Sequence, residues 1–83
     1  MTNENQKQPP IETLRDGSIK AAIWKNESEK GVFYSVDFSR TYTKEDRPAS
    51  SYSFSGSELL RVSLLAQKAY ERIIELKQVE GSL

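Results

Sequence analysis

The sequence predicts an α+β domain: an antiparallel four-stranded meander with a short first strand, followed by one long C-terminal amphipathic helix packed on one sheet face. Three observations carry that prediction. Apolar and polar residues alternate over 18–25, 32–43 and 49–54, the period of half-buried strands. Short turn-forming segments separate these runs. From residue 59 onward the apolar spacing changes to three and four, the period of a helix.

Residues 1–10 (MTNENQKQPP) are polar, offer nothing to bury and end in Pro-Pro, so they read as a disordered leader to a single domain spanning 11–78. Ile11–Leu14 reads as a short edge strand, closed by the Asp16-Gly17 turn signal. Along Ser18–Lys25, Ile19, Ala21 and Ile23 fall on one face and Lys20, Ala22 and Trp24 on the other. NESEKG (26–31) reads as a polar, Gly-ended loop. In the next strand, over 32–43, Val32, Tyr34, Val36 and Phe38 share a face, while Ser35, Asp37, Ser39 and Thr41 point away. TKEDRP (43–48) is a second charged turn, and Ala49–Phe54 forms the last strand, with Tyr52 and Phe54 inward between serines. Residues opposite one another in an antiparallel pair lie on the same sheet face. Pairing Ile23 with Tyr34, Ala21 with Val36 and Ile19 with Phe38 therefore gathers the apolar side chains on one side. The same register sets Trp24 beside Phe33 and Lys20 beside Asp37 on the other.

Ser55-Gly56-Ser57-Glu58 has the form of a capping box, with Phe54 and Leu59 placed as a hydrophobic staple. From there to Gln78, Leu59, Val62, Ala66, Ala69, Ile73 and Leu76 draw one apolar stripe, widened by Leu65, Tyr70 and Ile74. Residues 79–83 read as a flexible tail. Leu60 and Leu64 fall about 100–140° away from Leu59 around the helix. Single exposed leucines are ordinary on a protein surface. A second contact face, most simply a homodimer seam through Leu60 and Leu64, is the other reading. A thin core favours the seam, because an 83-residue chain without cysteine has no disulfide to supplement it.

The composition removes whole classes of function. There is no histidine and no cysteine, which takes away the commonest general base, the commonest transition-metal ligand and any thiolate nucleophile. The acidic pairs Glu27/Glu29 and Glu45/Asp46 sit in predicted turns, where carboxylates stay solvated, and they lack the ligand spacing of a calcium loop. The serines from Ser50 to Ser57 have no base to activate them. No Gly-rich phosphate loop is present. The expectation is a binding protein, not an enzyme, with no cofactor, metal or small-molecule substrate. No apolar run approaches the roughly 18–20 residues of a membrane span, and the polar N-terminus has no secretory character, so a cytoplasmic setting in a bacterium or virus is expected.

Twelve basic residues balance twelve acidic ones, which weighs against tight duplex binding but leaves room for a local basic patch. If the helix covers the Ile23 face, Trp24 and Phe33 lie on the uncovered side beside Lys20. Lys25 and Lys30 lie in and near the first loop, Lys44 and Arg47 in the second. Exposed rings interleaved with cations suit single-stranded DNA or RNA, whose bases stack on the rings while the cations follow the backbone. Two other readings stay open: Trp24 and Phe33 form a cross-strand pair or are buried by a second subunit, or the face binds another protein. An interaction or assembly module without a nucleic-acid role is therefore the alternative.

The segments RDGSIKAAIW (15–24), FYSVDFSRTY (33–42) and SFSGSELLR (53–61) resemble a group of small bacterial proteins of unassigned function, over about Ile11 to Ile74. The order of four antiparallel strands and a C-terminal helix is also similar to the fold of the transcriptional coactivator positive cofactor four and the plant Whirly proteins. Those are homodimers that bind single-stranded DNA on the strand side, with their helices packed at the other. That likeness implies a homodimer here, with Lys20, Trp24, Phe33, Lys44 and Arg47 lining the binding face.

Overall fold

Local chemistry places every chain reversal. In the computed structural model, which describes residues 9–81, β1 (Glu12–Asp16), β2 (Ile19–Ser28), β3 (Gly31–Lys44) and β4 (Arg47–Ser51) form one antiparallel sheet in the order β1-β2-β3-β4. Most of the expected leader, residues 1–8, lies outside the described residues. A single turn of 3₁₀ helix (Gly56–Glu58) leads into α1 (Leu59–Gly81). The ββββα order is the one the alternation predicts.

Each hairpin closes through two residues. Gly17 opens the first turn with φ +63°, a conformation in which a side chain is strained, and a Cβ there would lie 3.3 Å from Arg61 Nη1. The last turn, Glu45-Asp46, has positive φ at both positions (52° and 64°), the backbone of a type I′ hairpin built without glycine. The middle hairpin corrects the expected register. Ser28 pairs with Gly31, so only Glu29 and Lys30 form the loop, where six residues were expected. The Ser28 hydroxyl accepts the Lys30 amide (3.2 Å) and donates to the Gly31 carbonyl (3.4 Å), a local tie that lets polar residues finish the strand. The pairing is thereby two residues from the expected one. Ile23 faces Val36, Ala21 faces Phe38, Trp24 faces Ser35, and Lys20 faces Ser39. A shift of two preserves the side of every side chain, so the apolar face survives the change.

Ile19, Ala21 and Ile23 are fully buried with Leu65, and Leu14, Val36, Phe38, Phe54 and Val62 pack around them. Burial of an isoleucine of this kind stabilises by about 1.5–3 kcal/mol. The helix rests on β1 and β2, touches β3 lightly and makes no contact with β4 among the described residues. Its buried line runs through Leu65 and Ala69, with Val62, Ile73 and Leu76 beside it. Leu59 and Tyr70, expected within the stripe, are exposed. One helix about 10 Å wide spans two strands 4.8 Å apart but not four, so the buried arc is narrower than the apolar arc. Val79–Gly81, expected in the tail, continue the helix.

At the helix start the Glu58 carboxylate accepts the Ser55 amide at 2.8 Å, and the Glu58 amide donates to the Ser55 carbonyl at 3.0 Å. Phe54 turns into the core, whereas its expected staple partner Leu59 is largely exposed. The last strand ends at Ser51, earlier than expected, and Tyr52 is turned outward. No helix among the described residues is long and apolar enough to cross a membrane.

Candidate functional site

The sheet face opposite α1 is built from the even-numbered residues of β2 and the odd-numbered residues of β3, as the ladder dictates. Its centre is made of small side chains: Ala22 and Ser39 are both buried although no helix lies over them. Taller residues stand around this floor. Trp24, Lys20, Tyr52 and Pro10 border a groove of about 250 Å³, whose lining is completed by Thr13, Asp37 and Ser50. The groove exists because small residues at the middle of adjacent strands are flanked by long ones.

Of the seven residues expected to bind nucleic acid, the structure brings together three. Lys20, Trp24 and Phe33 share the open face. Trp24 and Phe33 are not directly opposite, because Phe33 pairs with Asn26. Asn26 Nδ2 donates to Ser35 Oγ at 3.0 Å across one diagonal of this four-residue square, so Trp24 and Phe33 occupy the other diagonal. Diagonal neighbours are about 7–8 Å apart. The rings are spaced by a polar pair instead of packed as a cross-strand couple. Phe33 is 52 % exposed; Trp24 is half-buried, and its indole N–H is buried without an acceptor among the described residues.

The other four lie elsewhere. Lys25 faces Tyr34 on the helix side of the sheet, and Lys30 sits in the tip of the β2–β3 hairpin. Lys44 and Arg47 oppose one another at the far end of β3, also with the helix-side parity. At about 3.3 Å per residue, the length of β3 separates Lys30 from Lys44 by some 40 Å or more. These cations do not form one patch with Trp24. The same separation divides Glu27 and Glu29 from Glu45 and Asp46, so no cluster of carboxylates forms there.

Two residues of the face escaped the sequence reading. Tyr52, 76 % exposed, lies on the outward face expected for the serines, because the β3–β4 register sets Ser50, two residues earlier, opposite Thr41 on the open face. Its position is set by Arg40, which donates to the Ser53 carbonyl through Nε and Nη2 (both 3.4 Å) and lies 3.5 Å from Glu58. Arg15 falls between the expected strand 11–14 and the Asp16-Gly17 turn signal, yet it pairs with Lys20 on the open face. Neither cation has a carboxylate partner among the described residues. Like charges directly opposite across a ladder repel, so an anion placed between them is favoured. The pairing of Arg15 with Lys20 follows from the Gly17-Ser18 turn, one residue later than the Asp16-Gly17 signal, which would set Arg15 opposite Ser18.

Comparison with protein-family models, with curated proteins and with solved structures finds no match to this chain. The functional reading therefore rests on the site.

Proposed function

We propose that the protein binds single-stranded nucleic acid on the open sheet face, with bases stacking on Trp24, Phe33 and Tyr52 and the backbone held near Arg15 and Lys20. The observation that carries this reading is that Trp24, Tyr52 and Lys20 border one groove, with Phe33 and Arg15 on the same open face beyond its lining. Spaced rings suit successive unpaired bases, and each stacked base contributes roughly 1–3 kcal/mol. The narrowness of the cationic element fits a single strand better than a duplex, which demands many phosphate contacts. Such a role implies a cytoplasmic setting.

The test uses the protein's only tryptophan. A single-stranded oligonucleotide in low salt should quench Trp24 fluorescence in step with the rise in its own anisotropy. Affinity should fall with added salt at a slope near −0.7 per phosphate contact. Trp24→Ala should weaken binding by about 1–3 kcal/mol and leave the slope unchanged, whereas Lys20→Ala should lower the slope by one contact's share. Absence of binding in low salt at tens of micromolar protein would defeat the proposal.

A further inference from the structure

The groove on the open face holds a charge that attraction of a polyanion does not require. Lys20 pairs with Ser39, and Asp37 pairs with Ala22, across the β2–β3 ladder. Lys20 and Asp37 therefore stand on one diagonal of a square whose other diagonal is the small, buried floor. Both line the groove. Diagonal neighbours are about 7–8 Å apart, within reach of a lysine. Even so, no ion pair joins the two, and Asp37 has no hydrogen bond among the described residues. A donor and an acceptor of opposite charge thus border one groove separately. A carboxylate accepts hydrogen bonds, donates none and repels phosphate. Asp37 is favourable there only towards a ligand group that donates. The size narrows the ligand further. At about 250 Å³ the groove is below the roughly 300–1,000 Å³ of pockets for drug-sized molecules. It has room for one flat ring system, and Trp24 and Tyr52 border it with aromatic surface.

We infer that the groove takes one guanine base of the bound strand, with Asp37 accepting from N1–H and the N2 amine and Lys20 donating to O6. The inference rests on the single-strand reading above and adds a base preference to it. Guanine is the base whose edge divides in this way. Its N1–H and N2 amine lie side by side as two parallel donors, which match the two oxygens of a carboxylate. Beside them O6 and N7 form an acceptor side that suits an ammonium. The other bases present the wrong pattern. Adenine and cytosine each offer one amine beside a ring nitrogen that only accepts, so the second Asp37 oxygen would meet a lone pair. Thymine and uracil offer one N3–H between two carbonyl oxygens, which a carboxylate repels. In a single strand these edges are free, because no complementary base occupies them. Lys20 carries three N–H donors, so O6 and a backbone phosphate can share it, with Arg15 opposite it on β1. Thr13, Ser39 and Ser50 complete the lining with hydroxyls that donate or accept and so do not discriminate.

The test compares labelled oligothymidylates in low salt: one all thymidine, one with a single central guanine, and two with adenine or hypoxanthine at that place. Hypoxanthine is guanine without the N2 amine, so it keeps the ring and O6 but loses one of the two bonds to Asp37. The guanine strand should bind at least about fivefold tighter than the all-thymidine strand, as a good bidentate base contact provides. The adenine and hypoxanthine strands should lose most of that gain. Asp37→Asn sets an amide donor against the guanine donors and should erase the preference. It should bind the all-thymidine strand at least as well as the parent does, because it removes a charge that phosphates avoid. Asp37 is exposed, so this variant tests contact and not folding. Equal affinity of the parent for all four strands would overturn the inference and leave the single-strand reading in place. Failure to bind any strand would remove both. A preference that survives hypoxanthine or Asp37→Asn would also overturn the inference, since stacking would then be its source. Free guanosine monophosphate should compete only far above the concentration at which the guanine strand binds. Competition at equal concentrations would make the ligand a mononucleotide and overturn its assignment to a strand.

Discussion

Glu58 shows how much one side chain settles at the start of α1. Its carboxylate is held below the ordinary range chiefly by the Ser55 backbone amide, with the Ser55 hydroxyl, Arg40 and Arg61 adding to that effect and burial opposing it. A carboxyl group whose folded pKa lies below its unfolded value stabilises fully above the unfolded value and loses that contribution as pH falls through the folded one. Denaturant midpoints should therefore decline below the usual carboxylate range, and Glu58→Gln should flatten part of that decline. An acid limb identical in parent and variant would show that the Ser55–Glu58 contact does not form in solution. The capping box was legible because its residues are adjacent in sequence and act through their own backbone. Tyr52 was not legible by the same route. Its outward side depends on the β3–β4 register, which sets Ser50 opposite Thr41 on the open face, and that register is fixed by the Glu45-Asp46 turn.

Among the elements, one hairpin is placed to within a residue and two are drawn too wide, since 26–31 and 43–48 close through Glu29-Lys30 and Glu45-Asp46 alone. Asp16-Gly17 announces its turn because glycine tolerates φ +63° and the flanking residues alternate at once. The β2–β3 hairpin gives no such sign. Asn26, Glu27 and Ser28 are polar, yet they belong to the strand, because beyond the reach of α1 the ladder needs no apolar face. Face assignment still held, since the error was two residues and parity repeats every two. The site divided for the same reason. Lys20 and Trp24 lie in the alternating centre, while Lys25, Lys30, Lys44 and Arg47 depend on where the hairpins close. The third hairpin supplies a prediction at this scale. Glu45 and Asp46 both occupy the left-handed region, at roughly 1–2 kcal/mol per non-glycine residue. Glu45→Asn with Asp46→Gly matches the preferred type I′ pair and should stabilise the domain by about 1 kcal/mol. An unchanged or lower denaturant midpoint would mean that the turn relaxes at no cost or is held by contacts these side chains make.

At the scale of the whole molecule, the sheet has two uncovered surfaces of different character. The open face is polar at its floor, ringed by Trp24, Tyr52 and Lys20, and suited to a reversible ligand. The β3–β4 half of the helix side mixes Val36, Phe38 and Tyr42 with Arg40, Lys44 and Arg47. Helix phase misled the sequence reading here, because an apolar arc wide enough for four strands is laid over only two. The shape carries the consequence: the principal extents are 46 × 31 × 15 Å, a slab too thin to bury much of its own surface. Where two copies pair, folding coupled to pairing follows mass action, and stability rises with protein concentration. The thermal midpoint of the parent should increase steadily across a hundredfold rise in concentration, whereas that of the Leu60→Glu, Leu64→Glu variant should stay constant and lower. Trp24→Ala lies on the other side of the sheet and should retain the parent's concentration dependence in full. Its loss in Trp24→Ala would mean that the open face, and not the β3–β4 half, is where two copies meet, and that the tryptophan is an interface residue instead of a stacking platform. A midpoint independent of concentration in the parent would instead leave a monomer whose β3–β4 half-sheet stands open to water.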